Sequence, residues 1–161
     1  MRKKSGSLVF ILAAIVLVMQ PALGQPKGFL KIQGISGDSS DQNHKDWSDV
    51  QSITWGGKNP AAGVPRSGSQ NKGPGSLVIV KRVDKASPLL RSKSGGGQTF
   101  PEVVLETSGT GPDGKPGVFI YKMTDVTIAS LNSSGGGSAG SQESVTLKYT
   151  KISWTYTAQK E

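Results

Sequence analysis

Few residues in this chain are suited to chemistry. One histidine, His44, stands in a polar segment from Asp38 to Asp49, and any Ser-His-Asp arrangement has to use it. One class of such triads raises its serine in a Gly-x-Ser-x-Gly elbow on a sharp strand-to-helix turn, and no such pattern lies on a predicted strand-to-helix turn here. His44 therefore reads as an exposed loop histidine. Asp38, Asp41, Asp46 and Asp49 offer the oxygens a hard cation such as calcium takes, but without the alternate acids, central glycine and terminal glutamate of an EF-hand loop. Asp38 and Asp41 read instead as turn starters, and Asp46 and Asp49 as the solvated side of a strand. Gln70-Asn71-Lys72-Gly73 lacks the Gly-Lys-Ser/Thr ending and following helix of a phosphate loop. The chain has no cysteine, which removes disulfides, thiolate metal sites and cysteine nucleophiles. No catalytic, cofactor-binding or metal-binding residue is assigned, no cofactor is implied, and the chain reads as non-enzymatic.

Charge gives equally little. Lys81, Arg82, Lys85, Arg91 and Lys93 gather around a predicted helix, yet no aromatics are interleaved for base stacking, so nucleic acid is not the expected partner. A solvated helix face, or contacts to a neighbouring subunit, fits better. Asn132-Ser133-Ser134 matches a glycosylation sequon, which matters only in a eukaryotic host.

The N-terminus stands apart from the fold. Arg2, Lys3 and Lys4 precede an apolar run from Leu8 to Met19, too short for a membrane-spanning helix, which needs roughly 20 residues. Ala22-Leu23-Gly24 then places small residues where a signal peptidase reads, so residues 1–24 are expected to be a signal peptide cut before Gln25. That makes residues 25–161 one exported domain, periplasmic or secreted, without stable membrane insertion. The formal charge of the whole chain is +8; removing three basic residues leaves 16 Lys+Arg against 11 Asp+Glu, or +5.

The elements that must position these residues are mainly strands. Gly28 to Ile35 carries Leu30 and Ile32 on one face, and Trp47 to Trp55 carries Trp47, Ile53 and Trp55 in phase. Ser76 to Val83 is apolar in both phases, as in a strand covered on both sides, with Leu77, Ile79 and Val83 in one of them. Glu102 to Thr107 is a further strand, and Val118 to Leu131 is one long strand or two with a bend near Asp125. In Ser144 to Thr157 the apolar residues change parity, from Val145, Leu147 and Tyr149 to Ile152, Trp154 and Tyr156. Such a switch requires a bulge or sharp bend, the device by which strands turn barrel corners. Ser87 as N-cap, Pro88 at the first helical position and an apolar side of Leu89 and Leu90 predict one short helix, stopped by Gly95-Gly96-Gly97. Gly56 to Gly75, Thr110 to Gly117 with its Asp113-Gly114 turn, and Ser133 to Ser141 read as loops. The expected class is all-β, a closed or nearly closed barrel of six to eight strands with one flanking helix.

With these segments placed, the sequence resembles the haemolysin-coregulated proteins (Hcp), the tube proteins of type VI secretion. Gly28-Phe29-Leu30-Lys31-Ile32-Gln33-Gly34-Ile35-Ser36-Gly37-Asp38-Ser39 resembles that family's first strand and turn. His44 and Asp49-Val50-Gln51-Ser52-Ile53-Thr54-Trp55-Gly56 are similar to its second strand. Val80-Lys81-Arg82-Val83-Asp84-Lys85-Ala86-Ser87-Pro88-Leu89-Leu90 is similar to its most recognisable stretch, a strand running into Asp-Lys-x-Ser/Thr-Pro and a helix, and Phe100-Pro101 and Glu143 to Lys160 fall in register. The resemblance implies a barrel that assembles into a hexameric ring, rings that stack into a tube, effector proteins held in the lumen, and sheath and spike components as partners. It also implies ring-to-ring contact through Gly56 to Gly75 and subunit contact through the barrel edges. The leader departs from the pattern, because such tube proteins leave without one; the alternative is an exported Hcp-like binding module whose Gly-rich loops contact a protein or glycan.

Overall fold

The computed structural model describes residues 28–56, 70–72, 74–135 and 140–159. The expected leader lies outside them, as does most of the Gly56 to Gly75 loop. Among the described residues no helix is long and apolar enough to cross a membrane.

Among the described residues eight strands and one helix follow in order: β1 (Gly28–Ile32), β2 (Ser48–Trp55), β3 (Gln70–Lys72), β4 (Gly75–Arg82), α1 (Ser87–Lys93), β5 (Thr99–Thr110), β6 (Pro116–Ser134), β7 (Gln142–Tyr149) and β8 (Lys151–Ala158). All pairings are antiparallel, in the order β3-β8-β6-β5-β1-β2-β4-β7, and an additional β6–β7 pairing brings the far strand back. Six strands, β6-β5-β1-β2-β4-β7, therefore close into a barrel, and β8 with β3 extends the sheet beyond it. Closure leaves those six without the unpaired edges that invite aggregation. β3 lies inside what the glycines and prolines marked as loop; it pairs with Ile152 to Trp154 of β8.

One line of corners shapes the barrel. β6 runs 19 residues, its first part paired with β8 and its second with β7, and the break falls at Asp125, whose φ is +51°. Thr150 stands opposite, between β7 and β8; its amide and hydroxyl donate to the Thr124 carbonyl and its hydroxyl also meets Asp125 Oδ2 at 3.1 Å. In β5 the position facing Asp125 is Pro101. Buried parity switches wherever the chain crosses this row: Phe100 to Val103, Met123 to Val126, Tyr149 to Ile152. The parity change expected in Ser144 to Thr157 is thus one site of a bend crossing three strands, and Val118 to Leu131 is a single strand bent where expected.

A second switch sits in β2, where the register shifts between Val50 and Ser52. Ser48 and Val50 point inward before it, Ile53 and Trp55 pack on the core after it, and Trp47 falls outside their phase. The interior holds Leu77, Ile79, Val103, Leu105, Met123, Val145, Leu147 and Ile152, all with no exposed surface. Each such side chain contributes about 1.5–3 kcal/mol. Beyond the corner an aromatic group continues the core: Phe119 packs 4.9 Å from Tyr156 and 6.2 Å from Trp154 between ring centres, and Trp55 4.9 Å from Tyr121.

Candidate functional site

The stretch from β4 into α1 is built around a charge that composition alone places on the surface. Lys81 belongs to the same parity as Leu77 and Ile79, so it points into the barrel and has 0% exposure. Directly across the β4–β7 pair stands Glu143, 1% exposed. Lys81 Nζ donates to Glu143 Oε1 at 2.7 Å, to Asp84 Oδ1 at 2.8 Å and to the Arg82 carbonyl at 2.8 Å, so all three of its hydrogens are used. A buried cation persists only with such partners.

The network continues into the turn before the helix. Ser87 Oγ donates to Glu143 Oε1 at 2.7 Å and accepts the Asp84 amide at 3.0 Å. Asp84 Oδ1 accepts the Ala86 amide, and Asp84 Oδ2 accepts the Ser48 hydroxyl of β2 at 2.7 Å. Ser87 is therefore not the N-cap. That position falls to Ala86, without a side-chain cap, because the serine hydroxyl is committed to the ionic network. Leu90 is fully buried and seats α1 against the barrel, whereas Leu89, expected to share that role, is 46% exposed, and Val83 is 45% exposed rather than facing in with Leu77 and Ile79. Arg91 Nη2 donates to Ser133 Oγ of β6 and fixes the outer side of the helix.

The polar segment between β1 and β2 is organised by two clasps. Asp38 Oδ2 accepts the Lys85 amide at 2.9 Å, and Lys85 Nζ meets Asp46 Oδ1 at 3.1 Å and Asp38 Oδ1 at 3.7 Å. The hydrogen bond to Asp46 holds the Lys85 ammonium above its usual pKa. At the other clasp stands His44, which is 8% exposed and not the exposed histidine its surroundings suggest. Its ring lies flat on Phe29 with centres 3.8 Å apart and meets the Trp47 ring at 83°. Nδ1 is 2.7 Å from Asp41 Oδ1, and Nε2 is 3.1 Å from Glu106 Oε1 on β5. Burial works against the charged ring, yet the hydrogen bonds to Asp41 and Glu106 outweigh it and raise its pKa above 6.5. Asp41 is lowered in turn, first by its bond to His44 and then by the Asn43 amide.

The four aspartates do not converge. Asp41 does begin a turn, as expected; Asp38 and Asp46 hold Lys85; Asp49, on β2, has Oδ1 buried without a partner. Among the described residues no group of three or more His, Asp or Glu side chains has metal-binding geometry. A cleft of about 240 Å³ is lined by Asp38, Ser40, Asp49, Arg82, Val83 and Asp84. It falls short of the roughly 300–1,000 Å³ usual for small-molecule sites. Lys81 and Glu143 are the residues that reading for motifs missed; the parity of Lys81 with Leu77 and Ile79 was the available sign.

Known proteins of the same build place this arrangement. A family model described as "Type VI secretion system effector, Hcp" matches residues 29–156. Protein hcp1 of Pseudomonas aeruginosa is 28% identical over 137 residues, covering 82% of this chain and 83% of its own. A solved "type six secretion system protein" is 32% identical with TM-score 0.64, covering 83% of this chain and 85% of that one. Hcp1 from Salmonella typhimurium is 28% identical with TM-score 0.61, covering 83% and 87%.

Proposed function

Since this chain belongs to the Hcp family of type VI secretion proteins, we propose that it is a structural subunit that assembles with copies of itself, as a hexameric ring and stacked rings, and does no chemistry. The observation that carries this reading is the family match across the whole barrel, 29–156. The β4–α1 stretch adds support: three elements spend buried polar groups on fixing a segment that leaves Val83 and Leu89 outside. Exposed large apolar side chains beside a rigid anchor suit a surface that a neighbouring subunit covers. The ring lumen would carry effector proteins, and sheath and spike components would be further partners.

Light scattering with electron microscopy of the protein starting at Gln25 tests the reading. Rings are expected, and Leu89→Glu is expected to shift them toward monomers while leaving the circular dichroism spectrum unchanged. A strictly monomeric protein at high concentration would overturn it in favour of an exported binding module. Residues 1–24 act as a cleaved leader that delivers the barrel to the periplasm or beyond; N-terminal sequencing of protein from its native compartment is expected to begin at Gln25, and an intact Met1 would refute this.

A further inference from the structure

The geometry points to His44 as a proton-dependent latch that fastens the β1–β2 loop, residues 33–47, to the outside of the barrel wall. Both ring nitrogens face a carboxylate oxygen: Nδ1 meets Asp41 at 2.7 Å and Nε2 meets Glu106 at 3.1 Å. An ionised carboxylate only accepts hydrogen bonds, so both contacts are made together only when both nitrogens carry a proton. A neutral ring would set one nitrogen lone pair against an oxygen lone pair and lose one contact. Charge on the ring is favoured further by Phe29, stacked beneath it with ring planes 4° apart.

The charged groups around the latch come from four segments. Asp41 lies on the loop itself and Glu106 on β5. Asp49 of β2 pairs with Phe29 across the sheet, and Lys31 of β1 stands 5.7 Å over the Trp47 ring. Three carboxylates against one lysine make this a place where a second cation is retained.

The loop is closed on itself at its base. Gly37 donates to the Asp46 carbonyl and Ser39 to the Trp47 carbonyl, each at 2.8 Å, while His44 and Trp47 close turns on Asp41 and His44. Its other clasp, Lys85 with Asp38 and Asp46, joins it to the segment entering α1 and contains no histidine. Proton loss at His44 therefore removes the hold of Glu106 on the closed base, which frays while the Lys85 clasp, the Gln33 amide on the Glu102 carbonyl of β5 and Ile35, 7% exposed, stay in place. The core side of β1, Leu30 and Ile32, takes no part.

His44 is the one histidine in the chain, so its ring gives single, assigned resonances. Imidazole ¹⁵N spectra of the whole protein, recorded with hydrogen-exchange protection factors across a pH series, test the latch. Below pH 6.5 both nitrogens are expected to be protonated, and the titration midpoint to lie above that of free histidine. Glu106→Gln, which keeps shape and removes one charge, is expected to lower that midpoint. Protection at Gly37 and Ser39 is expected to fall as His44 deprotonates, by about tenfold for each pH unit between its midpoint and the free one, while Ile79 and Leu147 stay protected. A midpoint at or below that of free histidine, loop protection indifferent to the titration, or loss of barrel protection along with the loop's would each overturn the proposal.

Discussion

Replacing Lys81 by Met tests the ionic anchor directly. Met fills much the same volume as the lysine stem but supplies no donor, so Glu143, 1% exposed, keeps only the Ser87 hydroxyl on Oε1, and its Oε2 already has no partner. Leaving one charge of a buried pair uncompensated costs about 3–5 kcal/mol. For a domain of about 130 residues this lowers the melting temperature by about 10–18 °C. Glu143→Met is the milder change, about 1–3 kcal/mol, since Lys81 keeps Asp84 Oδ1 and the Arg82 carbonyl, both at 2.8 Å. The double variant should recover much of the loss, because two apolar side chains facing each other leave nothing stranded, so the two changes are strongly non-additive. Urea unfolding followed by circular dichroism, at a dilution where the protein sediments as a monomer, measures all three. A Lys81→Met cost below about 1 kcal/mol, or a double variant equal to the sum of the singles, would refute the anchor as described.

The corner row makes a sharper demand on backbone than on packing. Asp125→Val is expected to cost about 1–2 kcal/mol by placing a β-branched residue at φ +51°, while Asp125→Gly stays within about 1 kcal/mol of the native protein in the same unfolding assay. Gly117→Ala should cost about 1–3 kcal/mol, since a Cβ there would lie 2.6 Å from the Thr157 carbonyl oxygen and collide with the Tyr156 ring. His44 has its pKa raised above 6.5, so its contribution is full below that pH and is lost as pH rises through the folded value. Asp41 is lowered below 3.8, so its share is present above that pH and lost as pH falls. The melting-temperature gap between the native protein and His44→Asn is therefore expected to be widest from about pH 4 to 6.5 and to narrow on both sides; a gap that stayed as wide below and above that range would contradict the assignment.

What could be read from the chain was whatever depends on period two. The parity change between Tyr149 and Ile152 and the apolar break at Asp125 announce the corner, because a strand holding one face to a core has no other way to change phase. The sheet order was not readable, since pairing β6 with both β7 and β8 is a long-range matter that local pattern does not encode. β3 escaped because three polar residues among glycines and prolines have no strand signature; only pairing to β8 makes them one. Lys81 and His44 were misjudged alike. Charge and a polar neighbourhood said surface, and both are buried because partners distant in sequence, Glu143 and Glu106, arrive to satisfy them.

That misjudgement bears on how such a barrel serves assembly. A subunit that packs against copies of itself needs a surface whose shape does not drift, and the segment bearing Val83 and Leu89 follows a strand end, where chains are ordinarily free to fray. Apolar packing tolerates small shifts, whereas the bonds from Lys81, Ser87 and Ser48 to Glu143 and Asp84 hold only within a few tenths of an ångström. Putting the charges inside thus exchanges some net stability for one fixed exit of the chain from β4, and the loop above it, tied to Lys85, inherits the same frame. Val83 and Leu89 are presented at set positions because Ser48 on β2 and Glu143 on β7 settle where the turn must lie.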